Sequence, residues 1–405
     1  METMIEEKLS IDKSNWTPVK FGEVVFEPKE SSKDPHADGI EHVVGLEHIE
    51  PENIHLTKSA TLEESTTFTK RFAIGDVLFG RRRAYLKKAT QASFSGICSG
   101  DITVFRANEK LMSELLPFIV NNEKFFDYAV KHSAGGLSPR VKFKDLANYE
   151  FLLPPKDQQA QLARLLWAMD EVIEGEKESL NKLELYQEVR MINLLNGYHL
   201  VDDRDKLPDG WELIKISELG TVATSSVDKK NKPNQKEINL LNYMDVYSSV
   251  DKKIDSKIDF MRVTANDNQL VKNQLNIGDV LFTPSSETSD DIGHSAVVTG
   301  DLPETLYSYH LVRLSFEKEI DLNYKRFLFN NPKILYDFSR KAKGVTRMTL
   351  SLEDFNNTEV RLPISLTEQK EIASELSIII DNHIKSNEKI EASKSLQKSL
   401  INQIF

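Results

Sequence analysis

Over the first 150 positions, short apolar runs alternate with polar and turn residues. Val24-Val25-Phe26, Asp76-Val77-Leu78-Phe79 and Ile102-Thr103-Val104-Phe105 are examples. Their β-branched and aromatic content predicts strands. Within the same region Leu115, Leu116, Ile119 and Phe126 recur at helical spacing, which predicts at least one helical stretch over about 111–131. The pattern changes at Pro154-Pro155. From there to Asn196 there is no further proline, and the one glycine is Gly175. Leu162, Leu165, Leu166, Met169, Val172, Ile173, Leu180, Leu183, Tyr186, Val189 and Ile192 line one face, with Glu, Lys and Gln elsewhere, and the seam breaks at Glu176. The expectation is a single helix of about 40 residues, roughly 60 Å long at 1.5 Å per residue. Gly197 is its candidate C-cap.

The plan then starts again. Ile74-Gly75-Asp76-Val77-Leu78-Phe79 recurs letter for letter as Ile277-Gly278-Asp279-Val280-Leu281-Phe282, 203 positions later. Trp16-x3-Lys20-Phe21-x-Glu23-Val24 matches Trp211-x3-Lys215-Ile216-x-Glu218-Leu219. Gly136-Leu137-Ser138 matches Gly344-Val345-Thr346, Leu153-Pro154 matches Leu362-Pro363, and the helix at Gln159 matches one at Gln369. The echoes are collinear, so a unit of about 200 residues is duplicated, too large for a solenoid repeat of roughly 20–50 residues. The second helical stretch, Leu366 to Phe405, carries Ile372, Leu376, Ile379, Ile380, Ile384, Ile390, Leu396, Leu400 and Ile404.

Two long amphipathic helices need somewhere to bury their stripes, and each other is the economical answer. The predicted fold is α+β: two mixed globular domains joined by two long antiparallel helices with pseudo-two-fold symmetry. The boundaries read 1–153 for the first domain, 154–198 for the first helix, 199–362 for the second domain and 363–405 for the second helix. The competing arrangement packs each helix on its own domain.

Composition sharpens this picture in a few places. A single cysteine, Cys98, excludes an intramolecular disulfide and a multi-cysteine zinc site, which points to a cytoplasmic protein. Nine scattered histidines lack metal-ligand spacing, and no apolar run reaches the ~18 residues of a membrane span. A net charge of −11 argues against indiscriminate nucleic-acid binding. It leaves room for a local basic site, and residues 70–90 hold Lys70, Arg71, Arg81, Arg82, Arg83, Lys87 and Lys88 against Asp76.

Catalytic signatures are missing: no GxxxxGK[ST] loop, no GxGxxG, no GxSxG, no amino-methyltransferase tetrapeptide. Asp76 and Asp279 read as turn residues bonding local backbone N–H groups. Gly80-Arg81-Arg82-Arg83-Ala84-Tyr85-Leu86-Lys87-Lys88 is the positive signal. Arginine's planar fork suits phosphate and the O6/N7 edge of guanine, lysine neutralises phosphates, and Tyr85 could pack on a sugar or base. The competing reading is a solvated basic loop. A second basic stretch contains Gly135-Gly136 with Arg140, Lys142 and Lys144. Its counterpart holds Lys341, Lys343, Gly344 and Arg347. Where the first unit has its three arginines, the second has Ser285, Ser286, Glu287 and Thr288, a different donor and acceptor set. A shared framework with different reading loops fits two modules for two different half-sites.

With these residues assembled, the chain resembles the specificity subunit of type I restriction–modification enzymes. The likeness covers essentially the whole sequence and rests on the ordered, duplicated elements: Trp-x3-Lys-x2-Glu, Gly-Asp-Val-Leu-Phe, Gly-(Leu/Val)-(Ser/Thr), and Leu-Pro followed by (Asp/Glu)-Gln and a long helix. It implies two target-recognition domains, each reading half of a bipartite double-stranded DNA sequence, with the helices as a ruler. It further implies two docked methyltransferase subunits and two restriction subunits. S-adenosylmethionine, ATP and Mg would belong to those partners, with no cofactor or catalytic residue in this chain and no membrane association. Leu165, Trp167 and Val172 lie off the 162-166-169-173 line and are the candidate partner-binding residues. The alternatives are a stand-alone DNA methyltransferase or nuclease with an atypical site, and a helical scaffold that never touches DNA.

Overall fold

The computed structural model describes residues 11–62 and 67–405. Two compact units emerge. One is Met1–Lys177 with Lys389–Phe405, the other Glu178–Glu388. Both unit boundaries fall inside the long helices, Lys156–Leu195 (40 residues) and Leu366–Ile404 (39 residues). Among the described residues no helix is long and apolar enough to cross a membrane.

In the first unit, a four-stranded sheet runs in the order Val25–Phe26, Ile102–Ala107, Val77–Gly80, Ala89–Gln91. A three-stranded sheet (Val43–Val44, Gly96–Cys98, Lys70–Phe72) lies beside it in the unit. The repeated hexapeptide supplies the inner strand, and all four residues Val77–Gly80 are buried, as an uninterrupted apolar run with partners on both edges requires. Phe79 meets Phe105, Phe125 and Phe126 at ring separations of 5.4, 5.8 and 5.9 Å. The second unit builds a five-stranded sheet in which Val280–Phe282 sits between Val312–Phe316 and Ser295–Val298. Phe282 there contacts Phe329, Phe338 and Phe355.

The conserved lettering of the duplicated turn has a direct cause. Gly75 and Gly278 take φ of +87° and +91°, which a side chain would strain. The aspartate that follows accepts a backbone N–H three residues back, Ala73 N to Asp76 Oδ2 at 2.7 Å and Asn276 N to Asp279 Oδ2 at 2.9 Å. In both copies a strand from the start of the domain pairs antiparallel with one from its end: Thr17–Lys20 with Glu150–Leu153, Trp211–Lys215 with Glu359–Pro363. The tryptophan donates to the first turn of the following long helix, Trp16 to Gln158 at 2.8 Å and Trp211 to Glu368 at 2.9 Å. Buried Gln159 and Gln369 do identical work, each donating to a proline carbonyl (Pro154, Pro363) and accepting a loop N–H (Met112, Asp321).

Each unit is completed by the start of one long helix and the end of the other, running antiparallel. In the first, Ala163 and Leu166 share a core with Leu400, Ile401 and Ile404, and Asn122 donates to Ile401 O and Asn402 Oδ1. Lys398 bridges Glu52 and Glu123. In the second, Met191, Leu194 and Leu195 share a core with Ile372, Leu376 and Ile380, Asn196 donates to Asn331, and Arg190 pairs with Glu375. Gly197 follows the first helix at φ +68°, as a C-cap should. The helical stretch expected over 111–131 holds two α-helices, Leu116–Val120 and Glu123–Lys131, because Asn122 leaves helical geometry to cap the second through Lys124 N.

Candidate nucleic-acid interface

Both units carry the same device: a glycine-containing hairpin loop clipped to the segment that follows the repeated strand. In the first, Ala134 and Arg140 exchange two backbone hydrogen bonds of 2.9 Å. Arg83 N donates to Pro139 O and Val141 N to Arg81 O, and Arg82 forms a bridge with Arg140. In the second, Lys343 and Thr349 exchange bonds of 3.0 and 2.9 Å, Leu350 N donates to Pro284 O, and Ser285–Ser286 pairs with Met348–Thr349. Two stretches far apart in sequence thereby form one surface in each unit, both of them basic in the first.

The side chains differ. Asp101 organises the first site: Arg140 donates Nε to Oδ1 at 2.7 Å and Nη2 to Oδ2 at 3.2 Å, and Arg82 adds a bond at 3.4 Å while reaching Ser138 Oγ at 3.1 Å. The Arg140 guanidinium, with Arg82 beside it, holds the Asp101 carboxyl below the usual carboxylate range. Arg81 and Arg82 each keep a buried Nε without a protein partner. Arg83 sits at φ +55° and, like Tyr85, is exposed. Lys142 and Lys144 flank the loop and are exposed.

Other cations of residues 70–90 are engaged by carboxylates or backbone carbonyls. Lys87 pairs with Glu123 at 2.6 Å and with Glu52, and Lys88 donates to Leu46 O at 2.7 Å. Lys70 pairs with Glu27 and Arg71 with Asp38. The basic excess read along the sequence is therefore smaller on the surface, with Arg81, Arg83 and the oriented Arg82–Arg140 pair its core.

In the second site Ser285 Oγ accepts from Arg347 Nε at 3.2 Å. Ser286 is buried, while Glu287 and Thr288 are exposed. Lys343 is exposed, whereas Lys341 donates to Thr358 Oγ1 at 2.6 Å beneath the loop. Sequence reasoning missed a neighbouring cluster. Tyr247 donates to Asp291 at 2.8 Å, His294 bonds the same carboxylate at 2.7 Å, and Tyr243 stacks on Tyr247 at 5.7 Å. Burial, with the charges of Lys229 and Arg347, lowers the His310 pKa. The i,i+4 pair Tyr243 and Tyr247 was the available signal.

Of the candidate partner-binding residues, Leu165 and Val172 are about half exposed. Trp167 is half-buried, its indole donating to Glu114 O at 2.9 Å and its ring edge-on to Phe118. Nearby, His55 bonds Asp170 at 2.6 Å, and the Glu174 ligand atom lies within 4.8 Å of both, the one such grouping of possible metal ligands among the described residues. Glu174 also pairs with Lys177, so the arrangement acts as a polar clamp between a loop and the first long helix.

Comparison with known proteins agrees with this double architecture. The family model described as type I restriction modification DNA specificity domain matches residues 13–185 and again 208–393. The Escherichia coli type I restriction enzyme EcoDI specificity subunit is 30% identical over 104 residues, a quarter (25%) of this chain and 23% of that protein. A solved chain from work on complex assembly and conformational transition of the type I R-M system aligns with a TM-score of 0.60 at 18% identity, over 96% of this chain and 97% of the other. The type I restriction–modification S subunit from M. genitalium aligns at 0.54 and 11% identity, over 96% of both. Two family-model matches, one on each duplicated half, place the chain in the type I restriction modification DNA specificity domain family.

Proposed function

We propose that the chain is the non-catalytic, sequence-specific DNA-recognition subunit of a type I restriction–modification complex, each domain reading one half of a bipartite target. The observation that carries this reading is the matched loop device: a basic hairpin clipped to a segment whose chemistry differs between copies. Arg81, Arg82, Arg83, Tyr85 and Arg140 contact the first half-site, with Lys142 and Lys144 on phosphates. Ser285, Glu287, Thr288, Lys343 and Arg347 contact the second. Arginine forks prefer guanine, whereas hydroxyls and a carboxylate accept from or donate to other base edges, so two different half-sequences are read.

The long helices set the unread spacer and present exposed apolar residues, Leu165 and Val172 among them, to two methyltransferase subunits. Those partners bind S-adenosylmethionine, and restriction subunits with ATP and Mg complete the assembly in the cytoplasm. Co-expression with the neighbouring methyltransferase subunit in a methylation-free host, followed by genome-wide mapping of modified bases, tests the proposal. A split motif with a fixed gap, absent without this chain, is the expected result. Methylation indifferent to the chain would overturn it.

A further inference from the structure

The two clipped loops share a feature that neither charge nor hydrogen bonding explains. Leu137 in one and Val345 in the other have relative exposures of 97% and 103%, the highest of the exposed large hydrophobics. A lone exposed aliphatic residue is ordinary. The same kind of residue at the tip of the corresponding loop in both copies, each fully clear of its own protein, is not.

The loops hold these side chains outward. Each tip consists of five residues closed by a reciprocal backbone pair, Ala134 with Arg140 and Lys343 with Thr349. Leu137 is third of its five and Val345 second, so the apex is kept although the register shifts by one. Gly344 has φ +153°, and a Cβ there would lie 1.9 Å from Arg347 O, which fixes the tight path beside the apex. Exposed cations flank each tip along the chain: Lys131, Arg140 and Lys142 on either side of Leu137; Arg340, Lys343 and Arg347 on either side of Val345.

An apolar point flanked by cations fits a partner with an anionic rim and an apolar interior. The grooves of double-stranded DNA offer that: phosphates along the edges, with thymine methyls and base-step faces between them. An anionic lipid surface offers the same two chemistries. DNA is favoured because the oriented Arg82–Asp101–Arg140 fork and the Arg347–Ser285 pair stand directly beside the tips. A headgroup layer presents the same phosphate chemistry to both tips, whereas base edges differ from one half-site to the other, as the two donor sets do. We infer that Leu137 and Val345 enter the DNA groove, one at each half-site, and make apolar contact with base edges or steps. This rests on the reading of the chain as a DNA-recognition subunit.

The test uses the full chain with its methyltransferase partner, comparing Leu137→Ala, Val345→Ala, the double variant and Leu137→Met by methylation mapping. Leu137→Ala should lower modification about tenfold, the order of one mismatched base pair, with degeneracy confined to one half of the motif. Val345→Ala should do the same in the other half, and Leu137→Met should stay close to wild type. A double variant that modifies the wild-type motif at the wild-type rate overturns the inference while leaving the recognition reading intact. Equal loss in both halves from either single variant overturns the assignment of one tip to one half-site. Binding to phosphatidylglycerol vesicles that the double variant loses, with methylation unaltered, overturns it in favour of lipid. A wild-type chain that imposes no split motif overturns the recognition reading itself, and the inference with it.

Discussion

The first unit arranges its basic surface around a carboxylate, and the second does so around a hydroxyl. Asp101 gathers Arg82 and Arg140 through charge-assisted bonds, while Ser285 receives a single bond from Arg347. The backbone that presents these groups is the same in both, down to the reciprocal pair at the loop base. Duplication has preserved the frame, where a change would cost a core or a turn. It has let the presented side chains diverge, where a change alters only what is read. The same contrast recurs beneath the surface. Aligning the helices at Gln159 and Gln369 puts Asp170 opposite Ile380; both are buried, but the aspartate requires His55 as a partner.

Three perturbations would break or sharpen this comparison. The largest effect belongs to the shared frame. Phe79→Ala and Phe282→Ala each remove a fully buried ring from the centre of a unit, and each should cost about 3–5 kcal/mol. Denaturant unfolding followed by unit-specific probes should show Phe79→Ala shifting the first unit's transition and Phe282→Ala the second's. A single merged transition shifted alike by both would show that the units do not behave as separate cores.

Next in size are the two organising contacts. Asp101→Ala removes three hydrogen bonds at once and frees both arginines, whereas Ser285→Ala removes a single bond from Arg347. Modification at the first half-site should therefore fall by about tenfold or more, whereas Ser285→Ala should lower the second by about fivefold or less. Equal losses would mean the carboxylate does no more than the hydroxyl.

The smallest effect concerns pH. The hydrogen bond to Asp170 raises the His55 pKa, so its contribution is complete below the unfolded histidine value of about 6.5 and disappears as pH rises through the raised folded value. The first unit's unfolding midpoint should decline from mildly acidic to mildly alkaline pH. Asp170→Asn should flatten that slope and leave the second unit's profile alone; an unchanged slope would move its origin elsewhere.

Much of this frame could be read from letters alone because its causes are local. Proline punctuation and a long apolar stripe gave the helix that runs Lys156–Leu195, and Gly-Asp gave the turn in which Asp76 and Asp279 bond backbone. What escaped were contacts between distant segments. Lys87 and Lys341 look like free cations in a basic run, yet Glu123 and Thr358 take them inward from 36 and 17 residues away. Tyr247 and Asp291 meet across 44 residues, a pairing no spacing rule contains. Asn122, at the break between two helices, likewise bonds Asn402, which the chain reaches 280 residues later.

That last contact has a consequence for how the molecule is made. The second unit is a contiguous stretch, Glu178–Glu388, and all of its core can leave the ribosome in one piece. The first is discontinuous: its cavity for Leu400, Ile401 and Ile404 stays unfilled until the intervening residues have been translated. At about 5–20 residues per second that wait is roughly 10–40 s, during which apolar surface around Leu166 is open to water and chaperones. The unit synthesised first is thus the one finished last, and the closing step is a docking event set by translation and chain diffusion as well as by local folding.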